Sequence, residues 1–201
     1  MQDPTKFWNA RYGEAGFAYG TTPNDFVVET ATRIPEGPVL CLAEGEGRNA
    51  VYLASRGHEV TAMDLSAVGL EKAQALAKER GVVLQTMAAD LSSYVIEEGR
   101  WSAIVCIWMH LPQPLRARVL AAAARGLKPG GVLIIESYAP AQLAFNTGGP
   151  RDVGMLVALE DLRSELAGLS LDVFEEIERD VHEGPYHEGK SAVVRAVARR
   201  A

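Results

Sequence analysis

The stretch Val39-Leu40-Cys41-Leu42-Ala43-Glu44-Gly45-Glu46-Gly47-Arg48-Asn49 decides how this chain is read. A short apolar run ends in a small-residue turn that opens a helix, the layout of a nucleotide-binding βα turn. Two carboxylates stand inside the turn. Glu44 and Glu46 occupy the place where a dinucleotide site sets backbone N–H groups against a pyrophosphate. Like charges about 4 Å apart repel by roughly 4 kcal/mol at an effective dielectric of about 20. The turn therefore disfavours a phosphate and favours a phosphate-free ligand carrying positive charge.

Outward from the turn, strand and helix alternate. Pro38–Ala43 is followed by a helix over Asn49–Arg56, a strand over Glu59–Met63, a helix over Leu70–Arg80 stopped by Gly81, and a strand over Val82–Met87. Trp101–Trp108 reads as a fully buried strand of the parallel-sheet kind. A helix over Pro112–Leu127 breaks at Lys128-Pro129-Gly130-Gly131 before a fifth strand, Val132–Glu136. Leu169–Asp180 and Ser191–Arg199 read as an antiparallel pair around Gly184-Pro185. The pattern predicts an α/β fold: a Rossmann-like, doubly wound, mostly parallel seven-stranded sheet with helices on both faces and an antiparallel C-terminal strand pair.

The 201 residues fit one domain, with a core over 34–201. Residues 1–33 read as one or two short helices forming a lid, with Thr22-Pro23 as a cap and first-turn pair. The long connection 139–157 reads as a substrate loop.

Bulk properties exclude several classes. A net charge of −6, with Arg195, Arg199 and Arg200 as the only basic cluster, argues against a nucleic-acid or anionic-membrane partner. No stretch approaches the ~20 apolar residues of a membrane span, and the N-terminus lacks the pattern of a signal peptide, so the expected location is cytoplasmic. Cys41 and Cys106 lie in separate apolar runs and the four histidines are dispersed, so buried thiols and no metal site are expected.

Beyond the turn, the chemistry sits at strand ends, where open α/β sheets bind ligands. Asp64 ends the second strand, where a carboxylate accepts from both ribose hydroxyls; its alternative role is to cap the following helix. Asp90, after the third strand, is placed to accept from an adenine amino group or to serve as a turn residue. An adenosine with a positive centre and no phosphate describes S-adenosylmethionine.

Together with Lys128-Pro129-Gly130-Gly131, these residues resemble the class I S-adenosylmethionine-dependent methyltransferases over roughly 35–138. Phe7-Trp8-Asn9-Ala10-Arg11-Tyr12, Gly20-Thr21-Thr22-Pro23, Glu44-Gly45-Glu46-Gly47-Arg48-Asn49 and Trp108-Met109-His110-Leu111-Pro112 are similar to the tellurite-resistance and thiopurine methyltransferase-like branch. The chain departs from the family pattern at Cys41, where an acidic residue is common, and at Ala43, where the first glycine of the turn stands. Glu44 or Glu46 is then the candidate for the methionine ammonium, and Glu46 alternatively complements the helix dipole.

The resemblance implies cofactor contacts from Trp8, Tyr19, Ala43, Glu44, Gly45, Gly47, Asn49, Asp64, Leu65, Ser66, Asp90, Leu91 and Ile107. It implies in-line displacement at the sulfonium methyl, leaving S-adenosylhomocysteine, with a small-molecule acceptor such as a thiol or chalcogen oxyanion. His110 is the first candidate for acid–base work, with Tyr138 and His187 beside it; each has a plainer role as cap, core ring or hairpin tip. The competing readings are a non-catalytic cofactor sensor or assembly protein and a nicotinamide-dependent oxidoreductase.

Overall fold

A computed structural model describes residues 3–201. Met1 and Gln2, the first two residues of the expected N-terminal lid, lie outside the described residues. The chain runs α1 (Pro4–Tyr12), α2 (Asp25–Thr30), β1 (Pro38–Leu42), α3 (Arg48–Ser55), β2 (Glu59–Asp64), α4 (Ala67–Glu79) and β3 (Gln85–Ala88). It continues through β4 (Trp101–Ile107), α5 (Gln113–Gly126), β5 (Leu127–Tyr138), α6 (Leu159–Glu165), β6 (Ser170–His182) and β7 (Glu188–Arg199). Short 3-10 turns stand at Ala31–Arg33, Pro140–Ala144 and Val153–Met155.

The strands form one sheet in the order β3-β2-β1-β4-β5-β7-β6. The first five pair in parallel, and β7 runs antiparallel to both β5 and β6. Alternation along each strand feeds two cores. Val39 and Cys41 face α2, α3 and α4, packing with Phe26, Leu53 and Ala73, whereas Leu40 and Leu42 face α5 and α6, packing with Leu120 and Leu162. All seven residues of β4 are buried, as a central parallel strand covered on both faces requires. Cys41 and Cys106 are buried free thiols within these cores.

Strand order reverses between β1 and β4, which places a crevice at their carboxyl ends. The turn after β1 fits there because of close packing. Gly47 has φ 89°, and a Cβ on it would stand 2.5 Å from that of Ala73, so α3 and α4 meet through this glycine.

Three local expectations are corrected. Thr22-Pro23 does not start α2: Asn24 does, its side chain accepting from the Val27 N–H. The third strand begins later than Val82, because pairing with β2 starts at Thr61 and Gln85 and leaves Val83 87% exposed. Asp64 does not cap α4, since Ser66 takes that place and accepts from the Gly69 N–H at 3.1 Å. The short helix α6 had no sequence signal. It is fixed from outside by buried Arg116, whose Nε and Nη2 donate to the two carboxylate oxygens of Glu165 at 2.9 and 3.0 Å.

Candidate functional site

The crevice at the carboxyl ends of β1, β2 and β4 is a cleft of about 180 Å³. Ala43, Glu44, Glu46 and Asn49 line it from the βα turn, Asp64 and Leu65 from the end of β2, Asp90 and Leu91 from the segment after β3. Ile107, Trp108, Met109, His110 and Leu111 extend the wall beyond β4, and Pro4, Trp8, Tyr12 and Tyr19 cover it from the N-terminal segment. The volume is below the ~300–1,000 Å³ usual for small-molecule sites. The reason is α1: Trp8 and Tyr12 stack at 5.4 Å and narrow the cleft from above.

Each acidic residue is held by identifiable donors. Asp64 accepts from the Gly45 N–H at Oδ2 and the Ser66 N–H at Oδ1, both at 2.8 Å. The Leu65 N–H also acts on this carboxylate; with about four acceptor sites, the carboxylate keeps capacity for a ligand in the cleft it lines. Burial pushes Asp64 above the usual carboxylate range, against the pull of those N–H groups. Glu44 Oε1 accepts from the N–H groups of Asn49 and Ala50 at 2.9 and 2.8 Å and so caps the first turn of α3. Burial pushes its pKa up to about 7. Glu46 accepts from the Ala18 N–H at 2.8 Å and pairs with Lys72 at 3.0 Å, tying the N-terminal cover to α4. Asp90 accepts from the Ser92 N–H at 2.7 Å in a turn.

Some expected contacts are elsewhere. Gly45 and Gly47 shape the turn without lining the cleft; Gly45, at φ 64°, lies under the Tyr12 ring. Ser66 is fully buried, caps α4 and donates its hydroxyl to Asn9 Oδ1 at 2.6 Å. Tyr138 does not face the cleft: its ring is buried behind Trp108 at 4.3 Å and carries Gly149 of the long connection against its other side.

His110 and His187 do line the cleft, and they also line a second, larger cavity of about 660 Å³. Pro4, Trp8 and Tyr19 share the partition with them. Beyond it, Phe7 and Arg11 of α1, the stretch 146–151 and the hairpin tip 185–188 complete the chamber. His110 Nε2 and His187 Nδ1 are buried without a hydrogen-bond partner. Burial lowers His110 to about 4 and holds His187 well below the ordinary histidine range, so both rings are neutral near pH 7.

The largest feature that sequence reasoning missed is a buried ionic network behind this partition. Glu183, at the end of β6, pairs with Arg48 and accepts from Trp108 Nε1 at 2.5 Å and Asn24 Nδ2 at 2.8 Å. Glu136, fully buried in β5, accepts from Asn24 Nδ2 at 2.7 Å and pairs with Arg179 and Arg195 at 2.5 Å each. Burial would raise Glu183, but Arg48, the Trp108 indole and Arg179 hold it below the usual carboxylate range. No local motif announces these pairs, because Asn24 and Glu183 are 159 residues apart.

Among the described residues, no group of three or more His, Cys, Asp or Glu is placed to hold a metal ion, and no helix is long and apolar enough to cross a membrane.

Residues 39–131 match the model of a methyltransferase domain family. Over 120 residues the chain is 30% identical to the 2-heptyl-1-hydroxyquinolin-4(1H)-one methyltransferase of Mycobacteroides abscessus, covering 58% of this chain and 53% of that one. The chain spans about half the length of the curated relatives it matches. Among solved structures, one from work on conversion of a disulfide bond into a thioacetal group in echinomycin biosynthesis superposes with a TM-score of 0.80. It is 19% identical and covers 98% of this chain and 92% of that one. TehB from Haemophilus influenzae superposes at 0.73 with 18% identity, covering 98% of this chain and 67% of that one. These structural likenesses concern the fold.

The donor set of the cleft suits the cofactor of that fold. Asp64 and Asp90, with Glu44 once ionised, oppose a pyrophosphate and attract a sulfonium and ammonium, while Glu46 is paired with Lys72 and Arg48, the one cation lining the cleft among the described residues, with Glu183. Residues 39–131, which match a methyltransferase domain, supply most of this cleft, and its lining fits S-adenosylmethionine as the cofactor.

Proposed function

We propose that this chain transfers a methyl group from S-adenosylmethionine to a small-molecule nucleophile by in-line displacement. The observation that carries the reading is the second cavity, which meets the cofactor cleft across the partition of Trp8, Tyr19, His110 and His187. A cofactor cleft with a separate, adjoining chamber for another molecule is what a two-substrate transfer requires.

The residues take these roles. Asp64 accepts from the ribose hydroxyls, and Asp90 accepts from the adenine amino group. Leu65, Leu91 and Ile107 supply apolar walls for the base, and the small side chain of Ala43 allows close approach. Glu46 acts on the positive end of the cofactor through its field, since both its oxygens serve Ala18 and Lys72, whereas Glu44 has one oxygen on α3 and the other left for the cleft. Trp8 and Tyr19 close over the sulfonium, where a ring face adds about 0.5–2 kcal/mol of cation–π attraction.

The bound cofactor supplies an electrophilic methyl with a good leaving group, so the chain's main task is positioning, worth roughly 7–11 kcal/mol at high effective molarity. His110, neutral and lacking a partner at Nε2, is placed to orient the acceptor by a hydrogen bond, and burial, which lowers it to about 4, makes it a weak base. The size of the chamber bears on the acceptor. A thiol on a carbon scaffold fits it. A chalcogen oxyanion of a few atoms occupies a minor part of 660 Å³, given that a water takes about 30 Å³.

The test is a thermal-shift titration with S-adenosylhomocysteine, with NAD and ATP as controls. Ligand at 100 times its dissociation constant adds about 2.7 kcal/mol, a rise of about 5–11 °C at this size. A shift with NAD alone, or none at saturation, overturns the reading. Radiolabelled methyl transfer to any small acceptor then excludes a cofactor sensor.

A further inference from the structure

The two adjoining cavities carry opposite charge. Four carboxylates line the cofactor cleft. The chamber has two guanidiniums, Arg11 and Arg151, against one carboxylate, Glu188, and that carboxylate is engaged by His182 Nδ1 at 2.6 Å. In a chain of net charge −6 this cationic chamber runs against the bulk composition.

Arg11 is held in place without being neutralised. Its guanidinium lies 3.7 Å over the Tyr186 ring and 5.2 Å from that of Phe7, and Nη1 donates to the Tyr19 hydroxyl at 3.2 Å. Among the described residues no carboxylate lies within ion-pair distance of it. Of five N–H donors one is used, so four remain on a guanidinium that lines the chamber. Around it the walls are flat: the rings of Phe7, Trp8 and Tyr186, and Pro150 and Pro185.

We propose that this chamber takes a planar aromatic acceptor bearing an acidic hydroxyl, bound as the ring-oxygen anion beside Arg11 and methylated on that oxygen. The proposal rests on the methyl-transfer reading and deepens it. The hydroxyl proton leaves to water on binding. An oxygen lone pair then forms the C–O bond as the C–S bond of the sulfonium breaks, and neutral S-adenosylhomocysteine is released. The partition explains why the hydroxyl has to be acidic: its two histidines are desolvated and weakly basic, so an acceptor of high pKa finds no strong base there.

The probes are 4-nitrocatechol, largely ionised near neutral pH and coloured when ionised, and catechol, of the same ring shape and largely neutral. Protein loaded with S-adenosylhomocysteine is expected to bind 4-nitrocatechol at least about tenfold tighter than catechol at pH 7, the scale of one hydrogen bond to a charged group. The bound dye is expected to show the absorbance of the anion. Arg11→Gln should erase most of that preference while leaving S-adenosylhomocysteine affinity unchanged, which also reports that the variant is folded. With labelled S-adenosylmethionine the product is the aryl methyl ether. Binding of S-adenosylhomocysteine without a preference for the anion, or a preference that survives Arg11→Gln, overturns the proposal and spares the methyl-transfer reading. So does methylation of tellurite or a thiol with none of the arenol. Failure to bind S-adenosylhomocysteine overturns both.

Discussion

The cofactor cleft and the chamber beside it are built in opposite ways. The floor of the cleft is assembled from successive strand ends, residues 43–49, 64–65, 89–91 and 107–111, at the carboxyl ends of β1, β2, β3 and β4. All of them fall within the 39–131 stretch that matches the methyltransferase domain. The chamber is assembled from pieces that the chain brings together over long distances: α1, the stretch 146–151 and the tip of the β6–β7 hairpin. Most of them fall outside the matched stretch. The cleft is acidic, the chamber cationic. Such a division lets one sheet keep a fixed cofactor site while the cover sets which second molecule is admitted.

The network around Glu183 is where the two halves are joined, so breaking it gives the largest effect. Arg48 belongs to the helix after the glycine turn, Trp108 to the cleft wall, Asn24 to the N-terminal cover and Glu183 to the hairpin. Glu183→Gln leaves the buried Arg48 without its counter-ion and replaces one of the two acceptor oxygens by an NH2 donor, so one pair of donors, Arg48 with the Trp108 indole or Asn24 with Arg179, loses its acceptor. Losing one partner of a buried pair costs about 3–5 kcal/mol, so the melting temperature should fall by roughly 6–20 °C. Differential scanning calorimetry checks this. A loss below about 2 °C means the halves are held by packing rather than by the network. The same group gives an acid limb. Its pKa is depressed in the folded chain, so its contribution is present above the ordinary carboxylate value and is lost as pH falls through the folded one.

The contrast between the halves is also why one was legible and the other was not. The sheet, its parallel core and the antiparallel C-terminal pair follow from apolar runs punctuated by Gly and Pro, signals that act within a few residues. The turn at 43–49 and Asp64 could be read because each sits at a fixed offset from a strand end. The hydrogen bonds that organise the cover span 159 residues for Asn24–Glu183 and 172 for Tyr186–Glu14, and no periodicity carries such information. Thr22-Pro23 looked like a helix start, but Asn24, two residues after Thr22, is the cap. For Tyr138 the strand end left the ligand space and core packing both open, and the Gly148-Gly149 segment, packed against its ring, goes with core packing. Glu44 lines the cleft as its place in the turn suggested, and the second duty of its Oε1, accepting from the Asn49 and Ala50 N–H groups, had no separate signal.

Asp64→Ala sharpens the comparison from the cleft side. It removes the acceptors for Gly45 and Ser66 together with those proposed for the ribose. At about 1.5–3 kcal/mol for hydrogen bonds to a charged group, S-adenosylhomocysteine should bind roughly 10–100-fold more weakly by calorimetry. Binding of 4-nitrocatechol in the chamber should change far less. Equal losses at both sites mean that the two cavities act as one.

Glu44 supplies a smaller effect with a definite sign. Burial raises its pKa from 4.5 to about 7, so the folded ligand-free chain binds more protons than the unfolded one in that window. Its stability contribution is full below 4.5 and is lost as pH rises through about 7. A sulfonium in the cleft favours the ionised carboxylate, so S-adenosylmethionine binding should release protons near pH 6.5 and tighten as pH rises towards 7 and above, by less than about tenfold per pH unit. Neutral S-adenosylhomocysteine should release fewer. Calorimetry in two buffers of different ionisation heat measures the difference, and equal release by both ligands places Glu44 outside the reach of the sulfonium.

The smallest effect concerns Ala43, where the family pattern has glycine. Its φ of 52° lies in the left-handed region, which costs a non-glycine residue roughly 1–2 kcal/mol. Glycine relieves that strain but gains about 0.4–1 kcal/mol of unfolded-state entropy. Ala43→Gly should therefore stabilise the chain by about 0.5 kcal/mol, a rise of about 1–2 °C. The Ala43 side chain also packs against the core on the α5 side of the sheet. If the melting temperature falls instead, that methyl contributes more than the strain removes, and the departure from glycine is a packing choice in the cleft floor. If it rises without a change in S-adenosylhomocysteine affinity, the turn tolerates either residue. If it rises while affinity drops, the methyl touches the cofactor, and the strained conformation is held for the ligand's sake.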